Sequence, residues 1–176
     1  TIFSLGIVNF SEAEVKGFEA EVSWIPAAGW DISANFAAIN AEISDDNEIY
    51  APDGQLIASV SDGTDLPIAP DSKGSISIEY SFQSRLLGAD PFMRLDWSYT
   101  GDSVNSLDGT ESIVFTTGPT DQPSYDIGNF RMGLDAEKWS STLYVTNITD
   151  EVAEQFYNNR WGSRQRLTIN KPRTIG

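Results

Sequence analysis

Apolar and polar residues alternate with a period of two along several stretches of this chain, and this pattern constrains the fold more than any other feature. Four runs are regular and three are weaker: residues 18–24, 30–36, 76–82, 93–99, 125–136, 139–147 and 166–176. Because successive side chains of a β-strand point to opposite faces, each run predicts a strand with one apolar and one polar face. No segment has a convincing helical period. The sequence therefore predicts an all-β fold of about seven strands.

The connections between these runs alternate in length. Three are short, at residues 25–29, 83–90 and 137–138, and three are long and polar, at residues 44–72, 101–124 and 150–165. In an antiparallel meander this order places every short turn at one end of the sheet and every long loop at the other. The same asymmetry is typical of outer-membrane β-barrels, which have short periplasmic turns and long external loops. We therefore predict a transmembrane antiparallel β-meander.

Aromatic residues support this interpretation because several lie where the strands meet the short turns. These are Trp24, Trp30, Phe82, Phe92 and Trp139. Amphipathic rings collect at the interface between a bilayer and water, where they form a girdle around a barrel. Phe36, Trp97 and Tyr99 lie further along, towards the long loops. The pattern predicts an aromatic girdle at the short-turn end.

The polar faces of the predicted strands carry charged residues at mid-strand positions. In a large barrel they would line the lumen, where charges stay hydrated and pair across strands. We expect this of Glu19, Glu21, Asp31, Arg94, Asp96, Arg131 and Asp135. A soluble antiparallel β-sandwich also alternates and would point the same residues at solvent. The sandwich does not explain the sorted loop lengths.

Composition narrows the function classes. The formal net charge is -15, from 26 acidic and 11 basic residues, which argues against a nucleic-acid partner. The chain has no cysteine and no histidine, so thiolate chemistry and the commonest general base and metal ligand are missing. We predict no enzyme activity, no cofactor and no metal site. A weaker alternative, a glycosidase using Glu19 and Glu21, rests only on their shared strand face.

Acidic residues in the first long connection suggest calcium at first sight. Asp45, Asp46 and Glu48, followed by Asp53, provide oxygen ligands of the kind that calcium prefers. However, Ile49 and Tyr50 stand where an EF-hand loop needs a ligand and a glycine. The sequence favours a solvated loop, and the same holds for the acidic residues Asp62, Asp65 and Asp71.

Five segments, taken in order, resemble the C-terminal third of TonB-dependent receptors. They are Asn9 to Glu21 with its Gly-Phe-Glu-Ala-Glu strand, the Leu-Pro-Ile-Ala-Pro at residues 66–70 ahead of Lys73, the aromatic strand at residues 96–102, the Asn-Ile-Thr-Asp at residues 147–150, and the Lys-Pro-Arg-Thr-Ile-Gly at residues 171–176. Each segment alone is weak, but together they cover nearly the whole chain.

The resemblance implies a monomeric 22-strand barrel of the bacterial outer membrane, with an N-terminal plug domain. We expect residues 1–176 to be the C-terminal part of the barrel domain, about seven strands, with the plug outside them. The implied function is uptake of a scarce nutrient such as a ferric siderophore, energised by the TonB complex through the plug, with membrane lipid around the barrel. Cobalamin and an oligosaccharide are alternative ligands. The competing function is that of a soluble acidic carbohydrate-binding β-sandwich.

External loops would provide the ligand contacts of such a receptor. We expect these near Tyr50 and Asp65 in the first long connection and near Arg160 and Trp161 in the last. Arg160 and Trp161 combine a cation with an aromatic ring, which suits an anionic ferric complex. Balancing the acidic loops is the competing interpretation of these cations.

Overall fold

The computed structural model describes residues 12–110, 118–158 and 166–176. Strands in this part of the chain are β1 (Ala13–Trp24), β2 (Trp30–Ile43), β3 (Asn47–Tyr50), β4 (Leu56–Val60), β5 (Ser72–Ser81), β6 (Asp90–Thr100), β7 (Ser103–Val104), β8 (Asp121–Gln122), β9 (Tyr125–Ala136), β10 (Trp139–Thr146), β11 (Glu154–Asn158), β12 (Arg166–Ile169) and β13 (Thr174–Ile175). Over the same residues, no helix is long and apolar enough to cross a membrane.

Seven strands form one antiparallel sheet in the order β1-β2-β5-β6-β9-β10-β13. When the short strands are left out, each neighbour in the sheet is also the next strand along the chain, so the sheet is a meander. The prediction of an all-β meander is confirmed. The long connections and the short turns lie at opposite ends of this sheet, as the alternating loop lengths predicted.

The strand registers place the polar side chains on one common face. Asp31 is paired with Glu79, Glu79 with Arg94, and Arg94 with Arg131, so a row of charged residues crosses four strands. The residues predicted to line a lumen all share this face: Glu19, Glu21, Asp31, Arg94, Asp96, Arg131 and Asp135. That the face borders a lumen remains a prediction.

The opposite face of the sheet is apolar and uncovered. Phe18 is 64% exposed and Leu143 is 66% exposed, although both are large apolar side chains within long strands. Buried apolar residues in the described part of the chain are few: Ile43, Ala58, Val60, Ala89 and Ala153. A β-sandwich would cover the apolar face with a second sheet. The described residues form no such layer, so the sandwich alternative does not fit this structure.

Aromatic side chains lie at the short-turn end, where the sequence placed them. The rings of Trp30 and Tyr80 are 4.9 Å apart, and those of Tyr80 and Phe82 are also 4.9 Å apart. Phe92 differs, because its register with Gly133 puts it on the polar face. The missing side chain of Gly133 leaves room for the ring of Phe92, since a Cβ there would lie 2.9 Å from it.

The predicted seventh strand, residues 166–176, is wrong in its extent. Its first part, β12, pairs with β11 in a separate hairpin, and only β13 joins the large sheet, beside β10. Asn170 follows β12 and is tied to the connection: its Oδ1 accepts from the Ala153 backbone N–H at 3.0 Å. Pro172 then has no N–H with which to continue a ladder. The third long connection therefore runs from residue 147 to 173.

Each long connection contains a small two-stranded pair of its own. The pairs are β3 with β4, β7 with β8, and β11 with β12. Polar side chains shape the first of them: Asp53 Oδ1 accepts from the Gln55 N–H at 3.1 Å, and Asp46 Oδ1 accepts from the Asp62 N–H at 2.9 Å. Each long loop therefore contains regular β-structure of its own, which the sequence did not predict.

Candidate functional site

The first and second long connections pack against each other through backbone hydrogen bonds. The Ile68 N–H donates to the Val104 carbonyl at 2.8 Å, and the Ser59 N–H donates to the Gly109 carbonyl at 3.2 Å. Val60 next to Ser59 is 1% exposed, so this contact has a small apolar centre. The two connections form one surface at the loop end of the sheet.

Asn105 links the second connection to the third. Its Nδ2 donates to the Tyr157 carbonyl at 2.8 Å, and its Oδ1 accepts from the Thr120 N–H at 2.7 Å. Asn105 is 9% exposed, and a buried amide that satisfies backbone groups on both sides fixes the segments it joins. All three connections are therefore held together where the strands end.

A polar cavity of about 150 Å³ lies between these connections and the sheet. Three of its lining residues come from neighbouring strands, since Lys73 pairs with Thr100 and Thr100 pairs with Tyr125. All three positions belong to the polar face. The other described lining residues come from the connections: Ile68, Pro70, Gly101, Ser103, Gln122, Pro123, Glu154 and Gln155. The cavity thus opens on the face that carries the charged row.

Gln122 is the most deeply buried polar residue of this cavity. It is 4% exposed, and its Oε1 accepts from Ser103 Oγ at 3.4 Å. Its Nε2 is buried and has no hydrogen-bond partner among the residues that the structure describes. A buried donor without a partner is costly, which makes Gln122 a candidate binding residue.

Of the predicted ligand contacts, the structure places only Asp65 next to this cavity. Asp65 lines a neighbouring cavity of about 220 Å³ together with Asp71, Asp102 and Asp121. Tyr50 is 55% exposed on the β3–β4 pair, and its hydroxyl donates to Glu48 Oε2 at 2.5 Å, which raises the pKa of Tyr50. Arg160 and Trp161 lie outside the described residues. All four remain predictions.

The acidic residues of the first connection do not gather into a metal site. Among the described residues, no three carboxylates lie together in a way that could hold a metal ion. Asp46 and Asp53 instead accept the backbone N–H groups that shape the β3–β4 pair.

On the polar face of the sheet, the charged row contains one connected cluster. Arg94 donates to Asp96 at 2.8 Å and to Glu79 at 3.4 Å, and Asp96 also accepts from Ser77 Oγ at 2.8 Å. Each of the three charged side chains is about one-third exposed, since the values are 32%, 34% and 35%. The cluster ties β5 to β6 on this face.

A larger cavity of about 730 Å³ lies at the opposite, short-turn end. Its walls are mainly apolar, with Tyr80, Met132, Leu134 and Leu143 on the apolar face and Arg85 in the adjoining connector. It contains none of the predicted ligand contacts. We therefore treat the loop end as the candidate site.

Sequence reasoning missed Lys73, Asn105 and Gln122. A signal for Lys73 was available, because it is the only Lys or Arg between Gly17 and Ser84. For Asn105 and Gln122 no local signal exists, since polar residues in polar loops are ordinarily solvated.

Comparison with known proteins gives a family match and two similar folds. The family described as TonB dependent receptor-like, beta-barrel, matches residues 2–148. The ferric yersiniabactin uptake receptor FyuA from Yersinia pestis has a TM-score of 0.68 at 21% identity, covering 93% of this chain and 22% of that one. The siderophore receptor PiuA from Acinetobacter baumannii has a TM-score of 0.66 at 15% identity, covering 93% and 21%. No curated protein sequence matches. The chain spans about a fifth of either structure, and the likeness at these identities concerns the fold.

Proposed function

The chain belongs to the TonB-dependent receptor-like β-barrel family, and from this premise we propose that it forms part of the wall and external loops of an outer-membrane receptor. The receptor imports a nutrient that is too large for porins. The nutrient that we propose for it is a ferric siderophore. The proteins named in the comparison are receptors and not enzymes.

The observation that carries this proposal is that the single sheet has one apolar face and one polar, charged face. Apolar side chains such as Phe18 and Leu143 are uncovered, while the opposite face holds the Arg94 cluster. In water an apolar face of this size would need a covering layer, whereas in a barrel wall lipid covers it. The polar face then borders the lumen, and the two open edges of the sheet pair with further strands of the barrel.

The partners follow from this arrangement. Outer-membrane lipid surrounds the apolar face, with Trp24, Trp30 and Trp139 at the interface of the short-turn end. The TonB complex acts through a plug domain that is not part of these residues. The ligand approaches from the loop end, where Tyr50, Asp65, Arg160 and Trp161 are candidate contacts.

The test is uptake by the intact receptor. The gene is deleted in its own bacterium, and uptake of radiolabelled iron is measured with a catecholate, a hydroxamate and a carboxylate ferric complex, with labelled cobalamin as a further probe. We expect uptake of one ferric complex to fall to the level of a strain without TonB and to recover with the intact gene. Loss of cobalamin uptake alone would contradict the siderophore assignment. Unchanged uptake of every probe would contradict the proposed transport of these nutrient classes.

A further inference from the structure

The polar cavity between the long connections and the sheet contains two donors that the described residues leave without acceptors. One is the buried Nε2 of Gln122. The other is the ammonium group of Lys73, which forms no ion pair within the described part of the chain. Both residues line the same 150 Å³ cavity. Gln122 is 4% exposed, whereas Lys73 is an exposed residue. A protein rarely buries a donor without a partner, so the Gln122 amide calls for an acceptor beyond the described residues, and the exposed Lys73 ammonium would add a positive charge at the same cavity.

Lys73 directly follows an acidic connection in the sequence. The first connection contains many acidic side chains and no basic one: Asp45, Asp46, Glu48, Asp53, Asp62, Asp65 and Asp71. Lys73 is exposed and forms an ion pair with none of the described residues among them. Instead, Lys73 is paired in register with Thr100 and lines the cavity on the polar face. Its position leaves the ammonium group available to a ligand.

The size of the cavity limits what enters it. A water molecule takes about 30 Å³ of liquid, so a cavity of 150 Å³ holds a single functional group with its nearest atoms. An ionised carboxylate has only acceptors, and it forms its strongest hydrogen bonds with charged donors. Ser103 and Gln155 offer further polar groups around it. Glu154 is the one carboxylate among the described lining residues. Its negative charge would repel the carboxylate of a ligand and weaken binding.

We propose that this cavity binds a carboxylate arm of the transported ligand, with the Lys73 ammonium and the Gln122 Nε2 as its two donors. Ser103 positions the side chain of Gln122. The Ser103 hydroxyl donates to Gln122 Oε1, so the Nε2 on the other side of the amide points away from Ser103. This inference rests on the proposed function, since it assigns one chemical group of the ligand. It makes the receptor selective for carboxylate-bearing nutrients over neutral ones of similar shape.

The test uses the intact receptor in detergent micelles and a matched pair of small probes. Benzoate carries a carboxylate, and benzyl alcohol presents the same ring with a neutral hydroxyl. Binding is measured by saturation-transfer NMR. We expect benzoate to bind at least about tenfold more tightly than benzyl alcohol, because hydrogen bonds to a charged group are the stronger ones.

The variants separate the two donors from a general charge effect. Lys73→Met and the isosteric Gln122→Glu should each weaken benzoate binding by about tenfold or more. Glu154→Gln should strengthen it. Lys138→Met removes a lysine from the short turn between β9 and β10, at the other end of the sheet, and should change nothing. Heat-dependent migration in gels verifies that each barrel is folded.

Two results would overturn the inference. One is equal binding of benzoate and benzyl alcohol to the unaltered receptor. The other is benzoate binding that survives both Lys73→Met and Gln122→Glu in folded receptors. Either result leaves the proposed function standing if the unaltered receptor still takes up its ferric complex. If uptake is absent as well, the proposed function itself has failed.

Discussion

At the scale of single residues, Asn147 organises the start of the third long connection. It is 3% exposed and has a positive φ of 53°, a conformation that asparagine tolerates better than most residues. Its Nδ2 donates to the carbonyls of Glu151 and Lys171 at 2.9 and 3.1 Å, and its Oδ1 accepts from the Glu151 N–H at 2.9 Å. One side chain thus joins both ends of the connection to β10.

Replacing Asn147 with alanine should loosen this connection. The change removes three part-buried hydrogen bonds to backbone groups and the side-chain amide that helps asparagine tolerate a left-handed conformation, which together cost about 3 kcal/mol. Hydrogen exchange at the Glu151 and Ala153 N–H groups should then speed up by about a hundredfold. Asn40→Ala, an exposed position on β2, is the control and should leave this exchange unchanged. Equal protection in both variants would show that Asn147 does not hold the connection.

At the scale of elements, the three small pairs form one unit because their connections interlock. At Gly109 the backbones of the first and second connections are in close contact. Its φ is +80°, and a Cβ there would overlap the carbonyl oxygen of Ser59. Gly63 has a similar φ of +78°, yet nothing lies within 4 Å of where its Cβ would be. The two glycines share a backbone conformation and differ only in their surroundings.

This difference makes a matched pair of variants. Gly63→Ala should cost only the strain of the left-handed conformation, about 1 kcal/mol. Gly109→Ala carries the same strain and must also push β4 away, which should cost about 2 kcal/mol more. Limited proteolysis of the intact receptor should therefore cut residues 44–72 faster in Gly109→Ala than in Gly63→Ala. Equal cutting rates would mean that the two connections do not depend on this contact.

At the scale of the whole molecule, the sheet separates an apolar face from a polar one over all its long strands. Neighbouring positions of β5 show the contrast. Ile78 pairs with Ile32 and Leu95, whereas Ser77 pairs with Ser33 and Asp96. If the sheet is a barrel wall, one step along the strand moves a side chain from lipid to the hydrated lumen.

Single spin labels can measure that step directly. The chain has no cysteine, so Ile78→Cys and Ser77→Cys each give one labelling site in this part of the receptor. In reconstituted membranes, the label at position 78 should respond mainly to oxygen, which concentrates in lipid. The label at position 77 should respond mainly to a water-soluble nickel chelate. Two labels equally accessible to the chelate would contradict the placement of the apolar face in the membrane.

The sequence alone determined the strands, their faces and the end at which the long loops gather. Runs such as residues 76–82 contain this information locally, because the two-residue period of a strand assigns each side chain to a face before any partner is known. The five segments that resemble the TonB-dependent receptor family likewise follow one another in the family's order along the chain. For this reason the meander and six of its seven strands were predictable.

Only the tertiary structure decided what the long connections do. It placed Arg166–Ile169 in a loop hairpin, put Phe92 over Gly133 on the polar face, and brought Lys73, Ser103 and Gln122 to one cavity. None of these follows from a local period, since each depends on which distant segment lies alongside. Polar loop residues have no pattern that distinguishes a buried amide from a solvated one, because burial is set by neighbours that are remote in the chain.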